Sequence, residues 1–228
     1  MIQANSARRS TTLILVRHGQ TDWNAESRIQ GQLGVDLSEV GRQQVVLTSQ
    51  RLAAVRAAAL YSSDLKRALA SAEPIASQTG LTIQPAAELR ERSFGEWEGK
   101  TWPEIEAADP TLRARGRGDL RLSPPGGEKR EQVRERVVAF AERVAHDHPD
   151  QFVVAVTHGG PISQLLRWVL DMPLTTRAHH APRNGSLTTL RCSDGQWQVV
   201  CFNDTCHLAS QTEVQAKTDA DFTEERTR

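Results

Sequence analysis

Two histidines stand at the ends of two short apolar runs, each followed by glycine: Leu13-Ile14-Leu15-Val16-Arg17-His18-Gly19 and Val153-Val154-Ala155-Val156-Thr157-His158-Gly159-Gly160. A buried imidazole held neutral is a competent nucleophile toward phosphorus, and guanidinium groups beside it would neutralise charge on the phosphoryl oxygens in the transition state. Arg17 precedes His18 directly, and Arg67 falls at the start of a predicted helix. The glycines leave room for an anion close to the backbone and expose amides as donors, Gly159-Gly160 most clearly. Phosphoryl transfer also needs an acid for the departing alkoxide. Glu91, in an irregular stretch before Gly95, is the carboxylate best placed for it, provided burial raises its pKa.

The elements that must position these groups follow from periodicity. Thr12 to Val16 reads as a buried parallel strand with polar residues at its C-terminal end, where sites in open α/β sheets lie. Ser38 is a plausible N-cap for a helix to about Val55, and a strand follows near Ala58 to Tyr61. Ser62, Ser63 and Asp64 offer caps for a helix to about Gln78, which Gly80 ends. Leu89 to Gly99 reads as a loop with an irregular strand, and Thr101 to Ala108 as a short helix. Asp109 to Gly127 holds three prolines, four glycines and Arg113, Arg115, Arg117 and Arg121, a composition suited to a lid. Glu128 to His146 is an amphipathic helix with Val133, Val137, Phe140 and Val144 on one face. Phe152 to Val156 is the most apolar strand, a helix runs from about Pro161 to Leu170, and Asp194-Gly195 joins two β runs as a hairpin. Alternating strands and helices predict an α/β fold: a three-layer α/β/α sandwich, its central sheet mostly parallel, with a lid insertion at about 100–127. One domain over 11–208 is expected between disordered tails, 1–10 and 209–228.

Composition narrows the function further. Lysine plus arginine equals aspartate plus glutamate at 28 each, so no global charge recruits nucleic acid or an anionic membrane, and anion binding must be local. No apolar run is long enough to span a bilayer. Cys192, Cys201 and Cys206 lack metal-ligand spacing, so no metal and no cofactor are expected. Their odd number and the polar residues Met1 to Ser10 point to a reducing, cytoplasmic setting. The expected partner is a small phosphorylated molecule; a homodimer is left open.

Four motifs in order, LVRHGQTDWN, YSSDLKRA, LRERSFGEWEG and VTHGG, resemble those of the histidine phosphatase (phosphoglycerate mutase-like) superfamily, over Leu13 to about Leu208. The resemblance implies that His18 is phosphorylated, Arg17 and Arg67 clamp the phosphate, Glu91 is the acid, and His158 donates to the phosphate rather than attacking it. It also implies substrate contacts from Thr21, Asn24, Gln30 and Gly159. The segment RIQGQLGVDLSEVGRQQ resembles small-molecule phosphatases of the superfamily, including phosphoserine, glucosyl-3-phosphoglycerate and α-ribazole phosphatases.

NDTCHL resembles the C-terminal motif of metal-independent phosphoserine phosphatases, which would bring His207 to the substrate or leave it capping the last strand. Those enzymes carry histidine before the glycine of the acid segment, where this chain has Phe94. Residues Trp97 to Gly127 do not reproduce the paired-arginine insertion of the bisphosphate-dependent mutases, which ranks mutase activity second and a non-catalytic phospho-ligand module third. Trp23 is expected to wall the pocket, and Trp97, Trp102, Trp168 and Trp197 to pack.

Overall fold

The structure, a computed structural model, describes residues 10–115, 123–176 and 181–211. Four strands run parallel, β1 (Ser10–Arg17), β2 (Ala57–Ser62), β3 (Ile83–Pro85) and β4 (Phe152–Thr157), and two antiparallel strands, β5 (Leu187–Ser193) and β6 (Gln196–Asp204), complete one edge. The spatial order β3-β2-β4-β1-β5-β6 makes β1 and β4 central neighbours. Side chains of a strand alternate between faces, so Leu13, Leu15, Val153 and Ala155 enter one core and Ile14, Val16, Val154 and Val156 the other.

The first core is closed by α6 (Arg130–Asp147), through Val133, Val137, Phe140 and Val144, and by α7 (Gly159–Val169), through Ile162 and Leu165. The second is closed by α2 (Glu39–Leu52) and α3 (Lys66–Thr79), with Leu52, Ala68, Ala72 and Ile75. Each buried Val, Leu, Ile or Phe stabilises the sandwich by about 1.5–3 kcal/mol. The expected three layers are therefore observed.

Parts of the detail differ from expectation. Ser10, assigned to the tail, begins β1, where its amide donates to Asp150. Strand β3 was not anticipated, because three residues ending in proline show no period. No strand forms over Leu89 to Gly99; it carries two single 3-10 turns, Ala87–Leu89 and Gly95–Trp97. Helix α7 begins at Gly159, with His158 itself as N-cap. Helix α3 uses no side-chain cap: Leu65 is its N-cap, and Asp64 pairs with Arg90 instead. A four-residue helix, α1 (Asp22–Ala25), closes the loop after β1.

In the segment expected to form a lid, α4 (Trp102–Ala108) and α5 (Pro110–Arg115) contribute Ile105 and Leu112 to a small third core that includes Trp97. Arg117 and Arg121, the side chains of Arg113 and Arg115, His179, His180 and the tails beyond Ser10 and residue 211 lie outside the described residues. No described helix is long and apolar enough to cross a membrane.

Candidate active site

Parallel pairing of β1 with β4 places Arg17 opposite Thr157, and the next residue on each strand is a histidine. The His18 amide extends the ladder by donating to the Thr157 carbonyl at 3.0 Å. Neighbouring strands lie about 4.8 Å apart, and the two imidazole centroids are accordingly 5.0 Å apart, tilted by 58°. The second histidine is thus brought to the first by sheet register alone.

Both imidazoles are buried. His18 Nδ1 lies 2.7 Å from the Gly19 carbonyl, which can only accept, so Nδ1 carries the proton and Nε2 keeps its lone pair. Arg67 Nε donates to that Nε2 at 3.3 Å. Burial first, then the charges of Arg67 and Arg17, hold the His18 pKa well below 6.5, and the same burial and charges do so for His158. His18 is therefore a neutral imidazole at neutral pH with its free electron pair beside guanidinium groups. His158 Nε2 meets the Ser63 hydroxyl at 2.8 Å, and its Nδ1 has no partner among the described residues. With Ser63 donating, that Nδ1 bears the proton available to an incoming phosphoryl oxygen.

Arg67 is almost completely buried, and its guanidinium donates to the carbonyls of Gly31 (2.7 Å) and Leu33 (3.0 Å). Desolvation lowers its pKa to about 10, which leaves it charged at neutral pH. Arg17 is held by its Nη1 on the Pro182 carbonyl.

Glu91 accepts from the Arg92 amide at 2.7 Å and from the Gly160 amide, at the start of α7, at 3.1 Å. A Cβ on Gly160 would fall 2.1 Å from Glu91 Oε1, so the carboxylate requires glycine there. Glycine is equally required where the loop after β1 crosses α2: a Cβ on Gly41 would fall 2.0 Å from the Gln20 carbonyl oxygen.

The acid segment is fastened by Arg136 of α6, which donates to the carbonyls of Glu88 (2.7 Å), Arg90 (2.6 Å) and Glu91 (3.2 Å) and pairs with Glu128 at 2.9 Å. Thr157 at the end of β4 donates to the Leu89 carbonyl at 2.7 Å, tying the same segment to the sheet.

A cleft of about 320 Å³ opens here, with Arg17, Glu91, Gly159 and Gly160 among its lining residues. His18, His158 and Arg67 do not line it; they lie buried, while Arg17 and Gly159, the sequence neighbours of the two histidines, reach the cleft. Its wall includes Phe94, Trp97 and Trp102, so two tryptophans read as packing border the cleft as well. Trp23, expected at the wall, is not among its lining residues, and its ring faces Gly99. Trp168 and Trp197 pack on each other, as expected.

The remaining expected contacts sit behind the histidine. Thr21 and Asn24 cap α1 reciprocally, and Asn184 links them to His18 by donating to the His18 carbonyl at 3.0 Å and to Asn24 Oδ1 at 3.3 Å. Gln30 is buried, with Oε1 unpartnered among the described residues, next to the Gly31 carbonyl that Arg67 holds. His207 does not line the cleft. Its Nε2 meets the Gly185 carbonyl at 3.0 Å and the Thr48 hydroxyl at 3.2 Å, and Gly185 in turn donates to the Arg17 carbonyl. The structure thus puts His207 behind the end of β1, in contact with the segment that holds the Arg17 carbonyl.

Ser63, Arg136 and Asn184 escaped sequence reasoning. Only Arg136 left a signal, as a charge on the helix flank that carries Val133, Val137 and Phe140.

Comparison with known proteins agrees with this fold. Residues 13–205 match the model of the histidine phosphatase superfamily (branch 1). The chain is 39% identical over 174 residues to the glucosyl-3-phosphoglycerate phosphatase of Mycobacterium tuberculosis, covering 73% of this chain and 78% of the relative. It is 35% identical over 218 residues to the metal-independent phosphoserine phosphatase of Arabidopsis thaliana, covering 92% and 89%. The native structure of mycobacterial glucosyl-3-phosphoglycerate phosphatase superposes with a TM-score of 0.77 at 37% identity, over 86% of this chain and all of that one. With the family motifs carried on the strand ends where the fold brings them together, the chain belongs to the histidine phosphatase superfamily, branch 1.

Proposed function

We propose that the protein hydrolyses a small phosphorylated metabolite through a phosphohistidine at His18, with glucosyl-3-phosphoglycerate the first candidate, followed by phosphoserine and α-ribazole phosphate. The observation that carries this reading is the His18 tautomer: Nδ1 is committed to the Gly19 carbonyl, and Nε2 is unprotonated beside Arg67. In the first step Nε2 attacks phosphorus, the ester P–O bond breaks, and Glu91 gives its proton to the departing alkoxide. Water then attacks the same phosphorus, Glu91 takes up its proton, the P–N bond breaks, and phosphate leaves with His18 neutral again. Arg17, Arg67 and His158 stabilise the equatorial oxygens in both steps. Histidine and guanidinium supply the nucleophile and the charge neutralisation, so neither step calls for a metal.

Phe94 favours the glucosyl substrate over phosphoserine, because its ring borders the cleft and supplies no hydrogen bond there. The test is phosphate release from these three esters and from p-nitrophenyl phosphate in the presence of chelator. The reading predicts turnover of the aryl ester and of at least one metabolite. Interconversion of phosphoglycerates stimulated by 2,3-bisphosphoglycerate, without net hydrolysis, would instead favour a mutase.

A further inference from the structure

The cleft also holds charge that the chemistry above does not use. Arg92, Arg130 and Gln164 line it together with the rings of Phe94 and Trp102. Arg92 is fixed, its Nε donating to the Glu128 carbonyl at 2.8 Å and its guanidinium lying 5.2 Å from the centre of the Phe94 ring. Arg130 is half-buried, its Nε unpartnered, and among the described residues it forms no ion pair with a carboxylate.

Gln164 is only 6% exposed, yet its Oε1 has no partner among the described residues. Helical spacing stacks further guanidiniums behind them, Arg134 one turn after Arg130 on α6 and Arg167 one turn after Gln164 on α7. Arg134 donates to the Met172 carbonyl at 3.0 Å and Arg167 to the Thr176 carbonyl at 2.7 Å, but among the described residues Nε of each and Nη1 of Arg167 have no partner.

Like charges gathered at a half-buried surface oppose one another unless an anion joins them. Burial, then the Arg130 charge, lowers the Arg92 pKa to about 10 against the opposing charges of Glu91, Glu128 and Glu131, and burial, then Arg134 and Arg130, depresses Arg167. Glu131, adjacent to Arg130 in sequence, opposes this in part. An arginine fork matches a carboxylate in two parallel hydrogen bonds, and the buried amide of Gln164 adds donors or an acceptor according to its rotamer.

We propose that Arg130 and Gln164, supported by Arg92 and by the guanidiniums of Arg134 and Arg167, form a subsite for a carboxylate on the molecule whose phosphate meets His18. The inference rests on the phosphatase reading only for the placement of the phosphate. It sorts substrates: phosphomonoesters with a carboxylate a few atoms from phosphorus are selected over neutral alcohol phosphates of equal size.

The test compares 3-phosphoglycerate with glycerol 3-phosphate, which differ only in carboxylate against hydroxymethyl. Each is measured as a competitor of p-nitrophenyl phosphate hydrolysis and by calorimetric titration. The wild-type protein should prefer 3-phosphoglycerate at least about tenfold, or about 1.4 kcal/mol. Arg130→Gln should bring that ratio close to unity, Arg130→Lys should retain part of it, and Gln164→Leu should lower it less.

Equal binding of the two ligands by the wild type, or a preference that survives Arg130→Gln, would overturn the proposal. Tighter binding of glycerol 1,3-bisphosphate than of 3-phosphoglycerate would overturn the carboxylate assignment in favour of a second phosphate. Absence of p-nitrophenyl phosphate turnover would count against the phosphatase reading alone, because the titrations still report on the subsite.

Discussion

The floor of the site and the wall of the cleft are built by opposite means. On the floor, His18 and Arg67 are fixed mainly by backbone carbonyls, of Gly19, Gly31 and Leu33, and both histidines hang from register-paired strand ends. On the wall, Arg130 and Gln164 project from helix sides with polar atoms that have no partner among the described residues. A group satisfied by backbone is held in place whatever the ligand, which suits chemistry common to every phosphate ester. A group left unsatisfied is completed by the ligand, which suits discrimination between esters.

This contrast can be broken most sharply at His18. His18→Ala should lower turnover of every phosphate ester by at least about 10,000-fold; a loss confined to some substrates would erase the distinction between floor and wall. Next in size is the acid. Glu91→Gln should slow alkyl esters about 100- to 1,000-fold and aryl esters far less, since an aryl leaving group needs little protonation. Gly160→Ala, whose Cβ collides with Glu91 Oε1, should reproduce that selectivity with a loss of about 100-fold for alkyl esters. Equal slowing of alkyl and aryl esters by either variant would remove Glu91 from the acid's role.

The smallest expected effect is on stability. His18 and His158 are neutral in the fold with pKa values below 6.5, so the unfolded chain binds more protons once the pH drops under that value. Stability contributed by each is complete above about pH 6.5 and is lost as the pH falls, at up to about 1.4 kcal/mol per pH unit. The midpoint of thermal unfolding should therefore fall between pH 7 and pH 5, and less steeply in His158→Ala. An unchanged slope in that variant would show that the buried histidine does not couple to folding.

Much of the floor was legible in the sequence because its signals are local. Apolar β-branched runs ending in His-Gly announce strand ends and deliver Arg17, His18 and His158, while Arg67 follows from the start of a helix and Glu91 from a short acidic segment with no clean period. What was not legible depends on partners far along the chain. Ser63 looks like a helix cap until the fold brings it to His158, ninety-five residues away, and Arg136 reads as one charge on an amphipathic helix until it meets the carbonyls of the acid segment. Trp97 and Trp102 carry large apolar area and serve the lid core and the cleft at once, a double use that no periodicity reveals. His207 illustrates the reverse case, a motif residue whose contacts reach the loop behind the site.

The central claim is tested most directly by trapping the intermediate. Brief reaction with a phosphorus-labelled aryl phosphate, followed by denaturation, should leave one label per chain that survives base, is lost in acid and maps to the peptide containing His18. Turnover of the aryl ester with no such label, or with the label on another residue, would contradict the account.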